Sequence, residues 1–399
     1  MDETDKKEVL KSIIRRLHEG ADPEEVKEEF KDVLKGTESF DIAQIEQQLI
    51  EEGMPIDEIR RLCDVHFALF RESLEEEKVE VPEGHPIHIL VEEHGIILGF
   101  AEELRNLSKM VKEAEDFDSA KENLEQLKRI AENFRESESH YVREENVLFP
   151  VIEKHGVTKP PAVMWMEHDT IREMEKNLYK LLDNPRETSF RVFAKKLGDA
   201  ALSLAEMLST HFYKENNILY PTALKIIPEN EWKDIRHEFD ELGYCGFTPK
   251  PPEVTIEAEK PAPTSAEGVI TFETGTLTVE EMESVLNTLP VDITFVDKND
   301  EVRYFSKSKE RIFPRTKAVI GRKVQQCHPQ KSVHVVNQIL EDFKSGRRDV
   351  AEFWINLDNR LIHIRYFPVR SKNGDYLGTL EVTQDITDIK KIQGEKRLL

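Results

Sequence analysis

Two eleven-residue stretches, His140 to Pro150 (HYVREENVLFP) and His211 to Pro221 (HFYKENNILYP), carry His, Glu, Asn, Leu and Pro at the same five positions. On an α-helix a His and a Glu four residues apart lie one turn apart on one face. His140 with Glu144, and His211 with Glu215, therefore each offer an imidazole and a carboxylate to one point. Another histidine stands upstream of each copy: His94 in VEEHGII, 46 residues before His140, and His168 in WMEHDTI, 43 before His211. The duplicated unit is a helix bearing one His, a connection, and a helix bearing HxxxE. Two such units make a four-helix bundle with six inward donors, four His and two Glu, as bundle cores use for carboxylate-bridged metal pairs.

A single HxxxE pair in an acidic, helical chain is ordinarily a solvated or core-edge pair. Two pairs in repeated flanking sequence, each preceded by a His at nearly equal distance, argue for a site. Imidazole plus carboxylate, with no thiolate in the set, suits iron or manganese better than closed structural zinc. If each Glu bridges, each metal keeps two His and an open position. Glu93 and Glu167, directly before the upstream histidines, are either carboxylates that orient imidazoles or members of a solvated face. His88, six residues before His94, has Ala162 at the matching place in the second unit. Six residues turn a helix by about 600°, so the two histidines do not share a face; His88 stands as an additional ligand candidate beside a capping or surface role. His85, just before Pro86, reads as part of a helix entry.

On these residues the region from about His85 to Pro221 resembles the hemerythrin-like, HHE cation-binding family. Oxygen-carrying hemerythrins place HxxxH on the third helix, whereas here the residue four after His168 is Arg172. They also end on a carboxylate five residues after the last His, and Glu215 follows His211 by four. The pattern is closer to proteins that repair iron centres after nitrosative stress. The resemblance implies two non-haem irons with open coordination for oxygen, nitric oxide or peroxide.

The rest of the chain is read by composition and period. With 399 residues and 38% hydrophobic content, two to four domains are expected. A net charge of −23 opposes nonspecific binding to nucleic acid or anionic membrane. No apolar run approaches a membrane span and MDETDKKEVL lacks the apolar core of a signal peptide, so a cytoplasmic location is expected. Three separated cysteines, Cys63, Cys245 and Cys327, argue against a disulfide framework or an iron–sulfur cluster.

Residues 4 to about 78 read as short helices, with an apolar stripe at Leu10, Ile13, Ile14 and Leu17, an Asp22–Pro23 cap and stops at Gly36 and Gly53. Cys63 and His66, three apart on the last of them, read as core packing. DIAQIEQQLIEEGMP and RRLCDVHFALF resemble domain of unknown function 438, commonly joined to hemerythrin-like domains. One more helix is expected from Trp232 to Glu241, and then TPKPPEVTIEAEKPAPTSAEG reads as a linker.

From about Val269 the period changes to two: DITFVDKNDEVRYFS reads as two strands around an Asn-Asp turn, and VAEFWINL, RLIHIRYFPVR and LGTLEVTQDIT as three more. This order, closing on Asp385 to Thr387, resembles a PAS domain. The resemblance implies haem, another small ligand, or no ligand with dimerisation. Cys327, His328 and His334 are the candidate cofactor ligands, with His334 where haem-binding PAS domains can place an axial His. The chain runs few residues past the signature, so any signal is expected to leave through a partner protein.

The expectation is a multidomain chain. An all-α N-terminal helical domain fills 1–79 and a hemerythrin-like four-helix bundle 80–247. A Pro-rich linker follows at 248–268, then an α+β PAS domain with an antiparallel sheet at 269–399. The leading function is gas, peroxide or redox sensing at a diiron centre coupled to the PAS module, with a homodimer through that module. One alternative is a diiron enzyme that reduces nitric oxide or oxygen or repairs iron centres. The other is a PAS-centred haem or small-ligand sensor with the bundle as scaffold.

Overall fold

The computed structural model describes residues 3–18, 21–22, 25–26, 29–30, 39–55, 81–250, 269–272, 274–309 and 311–395. Cys63, His66, Pro23, Gly36 and most of the expected linker lie outside them. Two compact units divide the chain, Met1–Val254 and Thr255–Leu399.

The first unit opens with two helices, α1 (Glu3–His18) and α2 (Ser39–Glu51). Leu10 and Ile13 of the expected stripe are fully buried, and pack with Ile42, Ile45 and Leu49 of α2; the side chains of Ile14 and Leu17 lie outside the described set. After α2 the chain turns at Gly53, whose φ of 104° suits a residue without Cβ.

The bundle follows: α3 (Pro86–Glu113), α4 (Lys121–Glu136) continued by α5 (Glu138–Arg143), α6 (Phe149–Lys154), α7 (Lys159–Asp183), α8 (Phe190–Lys214) and α9 (Tyr220–Ile226). Apolar residues three and four apart give each long helix one buried face. In α4 it is Leu124, Leu127, Ile130 and Phe134, and in α8 Phe193, Leu197, Leu204 and Leu208. α3 packs against α4 and α8, and α7 against the same two, which closes the four-membered ring. On α3 the face runs Leu90, His94, Ile97, Ala101, Leu104, and on α7 Met164, His168, Ile171, Leu178. Each histidine thus takes a place in the stripe that an aliphatic residue would otherwise fill. A last helix, α10 (Glu231–Leu242), matches the expected one and packs on α3 and α5.

The second unit begins with a hairpin, β1 (Val269–Phe272) and β2 (Gly275–Thr278), that the sequence reading did not single out. α11 (Val279–Thr288) starts in a capping box between Thr278 and Glu281. A five-stranded antiparallel sheet then forms in the order β4-β3-β7-β6-β5. Its strands are β3 (Asp292–Asp297), β4 (Val302–Phe305), β5 (Ala351–Leu357), β6 (Arg360–Arg370) and β7 (Tyr376–Asp385). All five match the period-two segments. α12 (Gln330–Lys344) joins the two groups of strands. Asp358 and Asn359, at φ of 50° and 61°, make the tight turn between β5 and β6, whose twist fits paired strands. The closing Asp385 to Thr387 has a mechanical role: Asp385 accepts the Thr387 amide at 2.8 Å, and the Thr387 hydroxyl accepts the Leu361 amide at 2.8 Å, tying the end of β7 to β6.

Candidate metal centre

The five residues shared by the repeat explain themselves in the backbone. Between α5 and α6, Glu144–Leu148 is a π-helical turn in which Phe149 N–H reaches the Glu144 carbonyl; Glu215–Leu219 is its copy, with Tyr220 N–H on the Glu215 carbonyl. Pro150 and Pro221 have no N–H for an ordinary helical bond and their rings crowd the preceding turn, so the helix widens just before them. The side-chain amide of Asn146 then donates to the Val142 carbonyl at 2.9 Å, and that of Asn217 to the Tyr213 carbonyl at 2.7 Å. Leu148 and Leu219 are buried. His and Glu remain as the two members without a structural duty.

All six are fully buried or nearly so and converge. His94 Nε2 lies 3.1 Å from His140 Nε2 and 3.2 Å from Glu215 Oε2. On the other side, Glu215 Oε1 lies 3.1 Å from His211 Nε2 and 3.6 Å from His168 Nε2. Glu215 thus spans two metal-sized triads, His94–His140–Glu215 and His168–His211–Glu215. Glu144 Oε2 sits 3.4 Å from both His140 Nε2 and His168 Nε2, between the two sides.

Every imidazole is held from behind. His140 Nδ1 donates to Glu93 at 2.7 Å and His211 Nδ1 to Glu167 at 2.9 Å. His168 Nδ1 donates to Glu145 at 2.9 Å, and His94 Nδ1 to the Asn216 side-chain carbonyl at 3.0 Å. The carboxylates are anchored in turn: Glu93 by Arg143 and Thr248, Glu167 by Lys214 at 2.7 Å, and Glu145 by Arg172 at 2.8 Å. Burial works against charge on Glu93, but the contacts from His140, Arg143 and Thr248 outweigh it and bring its pKa down to about 2. Glu167 is lowered in the same way, with His211 and Lys214 outweighing burial. With Nδ1–H committed to an acceptor, each Nε2 lone pair points inward.

The inward atoms fit a metal pair. Glu144 Oε2, His168 Nε2, His211 Nε2 and both Glu215 carboxylate oxygens are buried with no hydrogen-bond partner among the described residues, a condition that native cores rarely leave unexplained. Four imidazoles and two carboxylates are a suitable donor set for iron or manganese.

Two differences break the pseudo-symmetry. Tyr220 and Phe149 occupy the same place in the repeat, and their rings stack on His94 and His168 at 5.5 and 5.7 Å. Only Tyr220 has a hydroxyl, which donates to Glu144 Oε1 at 2.8 Å and lies 3.2 Å from His94 Nε2. Burial and the neighbouring Glu144 raise the Tyr220 pKa well above the phenol range, so the proton stays on oxygen. Asn216 likewise stands where the first unit has Glu145.

His88 is not brought to this centre. It lies 3.4 Å from Glu92 on a part-exposed side of α3 and belongs to neither triad, as its angular offset from His94 requires. His85 is the N-cap of α3, its Nδ1 accepting the Ile87 amide at 3.2 Å.

Residues 85–223 match the hemerythrin HHE cation binding domain. The bundle is a hemerythrin domain. Residues 10–76 match the family of unknown function DUF438, and 282–387 match a PAS domain. No curated protein matches the chain. Among solved structures, a C-terminal domain from Streptococcus mutans is 34% identical, covering 31% of this chain and 97% of that one at a TM-score of 0.30. The PAS domain of a protein from Colwellia psychrerythraea is 17% identical, covering 27% and 97% at 0.23. The PAS domain of Bordetella pertussis BvgS is 17% identical, covering 28% and 88% at 0.24. A hemerythrin domain implies a bound cation, and the structure brings together the six residues of the repeat that could hold one.

In the PAS domain a cavity of about 110 Å³ lies between α12 and the sheet. Val335, Val336, Ile339 and Leu340 line it from the helix, and Cys327 and His328 line it as well. His334 is exposed and does not line it, because the cavity face of α12 carries the residues around positions 332, 335, 336 and 339. His328 donates its Nδ1–H to the Val324 carbonyl at 2.9 Å, and burial lowers its pKa. This space is small beside pockets for drug-sized ligands, which run to roughly 300 Å³ and above. Among the described residues, no helix is long and apolar enough to cross a membrane.

Proposed function

We propose that the hemerythrin domain binds two irons, one at His94 and His140, the other at His168 and His211, with Glu144 and Glu215 shared between them. The observation that carries this is the convergence of three buried Nε2 atoms on the two oxygens of Glu215, with the fourth, of His140, 3.1 Å from that of His94. Such a pair, when bound, supplies open coordination and a one- or two-electron couple for oxygen, nitric oxide or peroxide.

The protein's own residues do the rest. Glu93, Glu167, Glu145 and Asn216 fix the histidine tautomers, and the carboxylates make three of the imidazoles better donors. The apolar rings of Phe149, Phe212 and Tyr141 around the histidines keep bulk water out. We read the chain as a sensor whose PAS domain relays occupancy of this centre to a partner protein. The proposed division is an N-terminal domain at 1–79, the metal domain at 80–247, a linker at 248–268 and the PAS domain at 269–399. Edge strand β5, with Trp354 65% exposed, supports a homodimer through that domain.

The test is iron stoichiometry by mass spectrometry on anaerobically purified chain beside the His140→Ala, Glu144→Ala variant. About two irons per chain, lost in the variant, is the expected result; iron untouched by the variant would overturn the reading. A second reading, a diiron reductase, draws on the Tyr220 hydroxyl, a buried hydrogen-bond donor within reach of both a carboxylate and an imidazole of the centre. Catalytic turnover of nitric oxide or oxygen with an electron donor, slowed in Tyr220→Phe at full iron content, separates the enzyme from the sensor.

A further inference from the structure

Two helices outside the four-membered ring occupy matching places around the repeat. α10 packs on α3 and on the first π-turn; α2 packs on α7 and on the second. Each also grips the loop that opens a His-bearing helix. Arg236 of α10 donates to the Gly84 carbonyl at 2.6 Å, just before α3. Gln47 of α2 donates to the Gly156 carbonyl at 3.1 Å and accepts the Thr158 amide at 2.9 Å, just before α7. Ile218, three residues past Glu215, is buried among Leu10, Ile13, Ile42, Ile45 and Leu49. One of these clamps follows directly after the region that matches the hemerythrin domain, whereas the other comes from the region that matches DUF438.

We infer that α2 is the second clamp of the metal centre, and that its docking is linked to occupancy of the His168–His211–Glu215 side. The inference rests on the metal reading above. His168 and Glu215 sit on different segments, α7 and the second π-turn, and α2 touches both. Docked, it holds them in register, so less ordering is left for the metal to impose. Linkage is reciprocal, so metal favours docking by the same factor, typically about 5- to 150-fold. The region of unknown function is thereby given a role: it completes the half of the centre that α10 does not reach, and it is the surface segment whose position reports metal.

The experiment is hydrogen exchange of the full chain, metal-free and with ferrous iron added anaerobically, read on peptides covering 39–51, together with release of iron to a chelator in Gln47→Ala and Arg236→Ala. Exchange in 39–51 is expected to slow on iron addition. In equilibrium competition with the chelator, Gln47→Ala is expected to hold one of the two irons roughly 5- to 150-fold more weakly and the other with wild-type affinity. If two irons bind and α3 and α7 gain protection while 39–51 does not, or if Gln47→Ala holds both irons with wild-type affinity, the clamp is wrong and the metal reading stands. If no iron binds, both fall, and stoichiometry tells the two failures apart.

Discussion

Each of the four clustered histidines is paired across the bundle with a residue that neighbours another member of the cluster in sequence. Glu93 precedes His94 but holds His140, and Glu167 precedes His168 but holds His211. Glu167→Gln leaves the His211 ring without a carboxylate acceptor and removes the charge opposite Lys214. Metal affinity is expected to fall about 10- to 100-fold, measured by competition with a chelator; unchanged affinity would remove Glu167 from the centre's support. A different buried acid, Glu175, accepts Tyr179 O–H at 3.3 Å, and burial together with Glu138 raises its pKa to about 8. The folded state therefore holds a proton that the unfolded chain loses near its ordinary value of 4.5. This contribution to stability is full below that value and declines as pH rises to about 8. Glu175→Gln is accordingly expected to raise the melting temperature of the first unit more at pH 7.5 than at pH 5. An equal effect at both pH values would contradict it.

At the scale of the element, the π-turns are what the repeated Pro and Asn encode. Asn146→Ala leaves the Val142 carbonyl without its side-chain donor, and Asn217→Ala does the same at Tyr213. Each is expected to cost about 1 kcal/mol, read from urea midpoints. Pro150→Ala restores an N–H that permits regular helical bonding, which would rotate Glu144 relative to the segment after it. Weaker metal binding is the expected outcome, and tight binding with the π-turn lost would dismiss the turn's role. The stripe of α12 shows the complementary case. His334 falls between cavity-facing positions, so sequence proximity to Cys327 and His328 did not translate into a shared pocket.

For the whole molecule, two compact units predict two unfolding transitions. Metal bound only by the folded first unit stabilises that unit by mass action, about 2.7 kcal/mol at a free concentration one hundred times Kd. Calorimetry with and without iron should move one transition and leave the other. If both move together, the units unfold as one. Because α1 and α2 share the first unit with the bundle, the transition that moves is expected to include them.

Residues in the chain that repeat at helical or strand period carry their structure locally, and there the sequence was sufficient. HxxxE at four-residue spacing, repeated with an upstream His, singled out the six residues that the structure brings together; alternation determined the five strands. The partners of the imidazole Nδ1 atoms, the grip of Gln47 on Gly156 and the hydroxyl of Tyr220 on Glu144 join segments 23 to 122 residues apart. Such contacts depend on how amphipathic faces rotate and pack in the assembled bundle, and no local period encodes that. The mismatch of Glu145 with Asn216 and of Phe149 with Tyr220 was visible in the two aligned stretches, but only the tertiary structure decided that both pairs stand against the histidines.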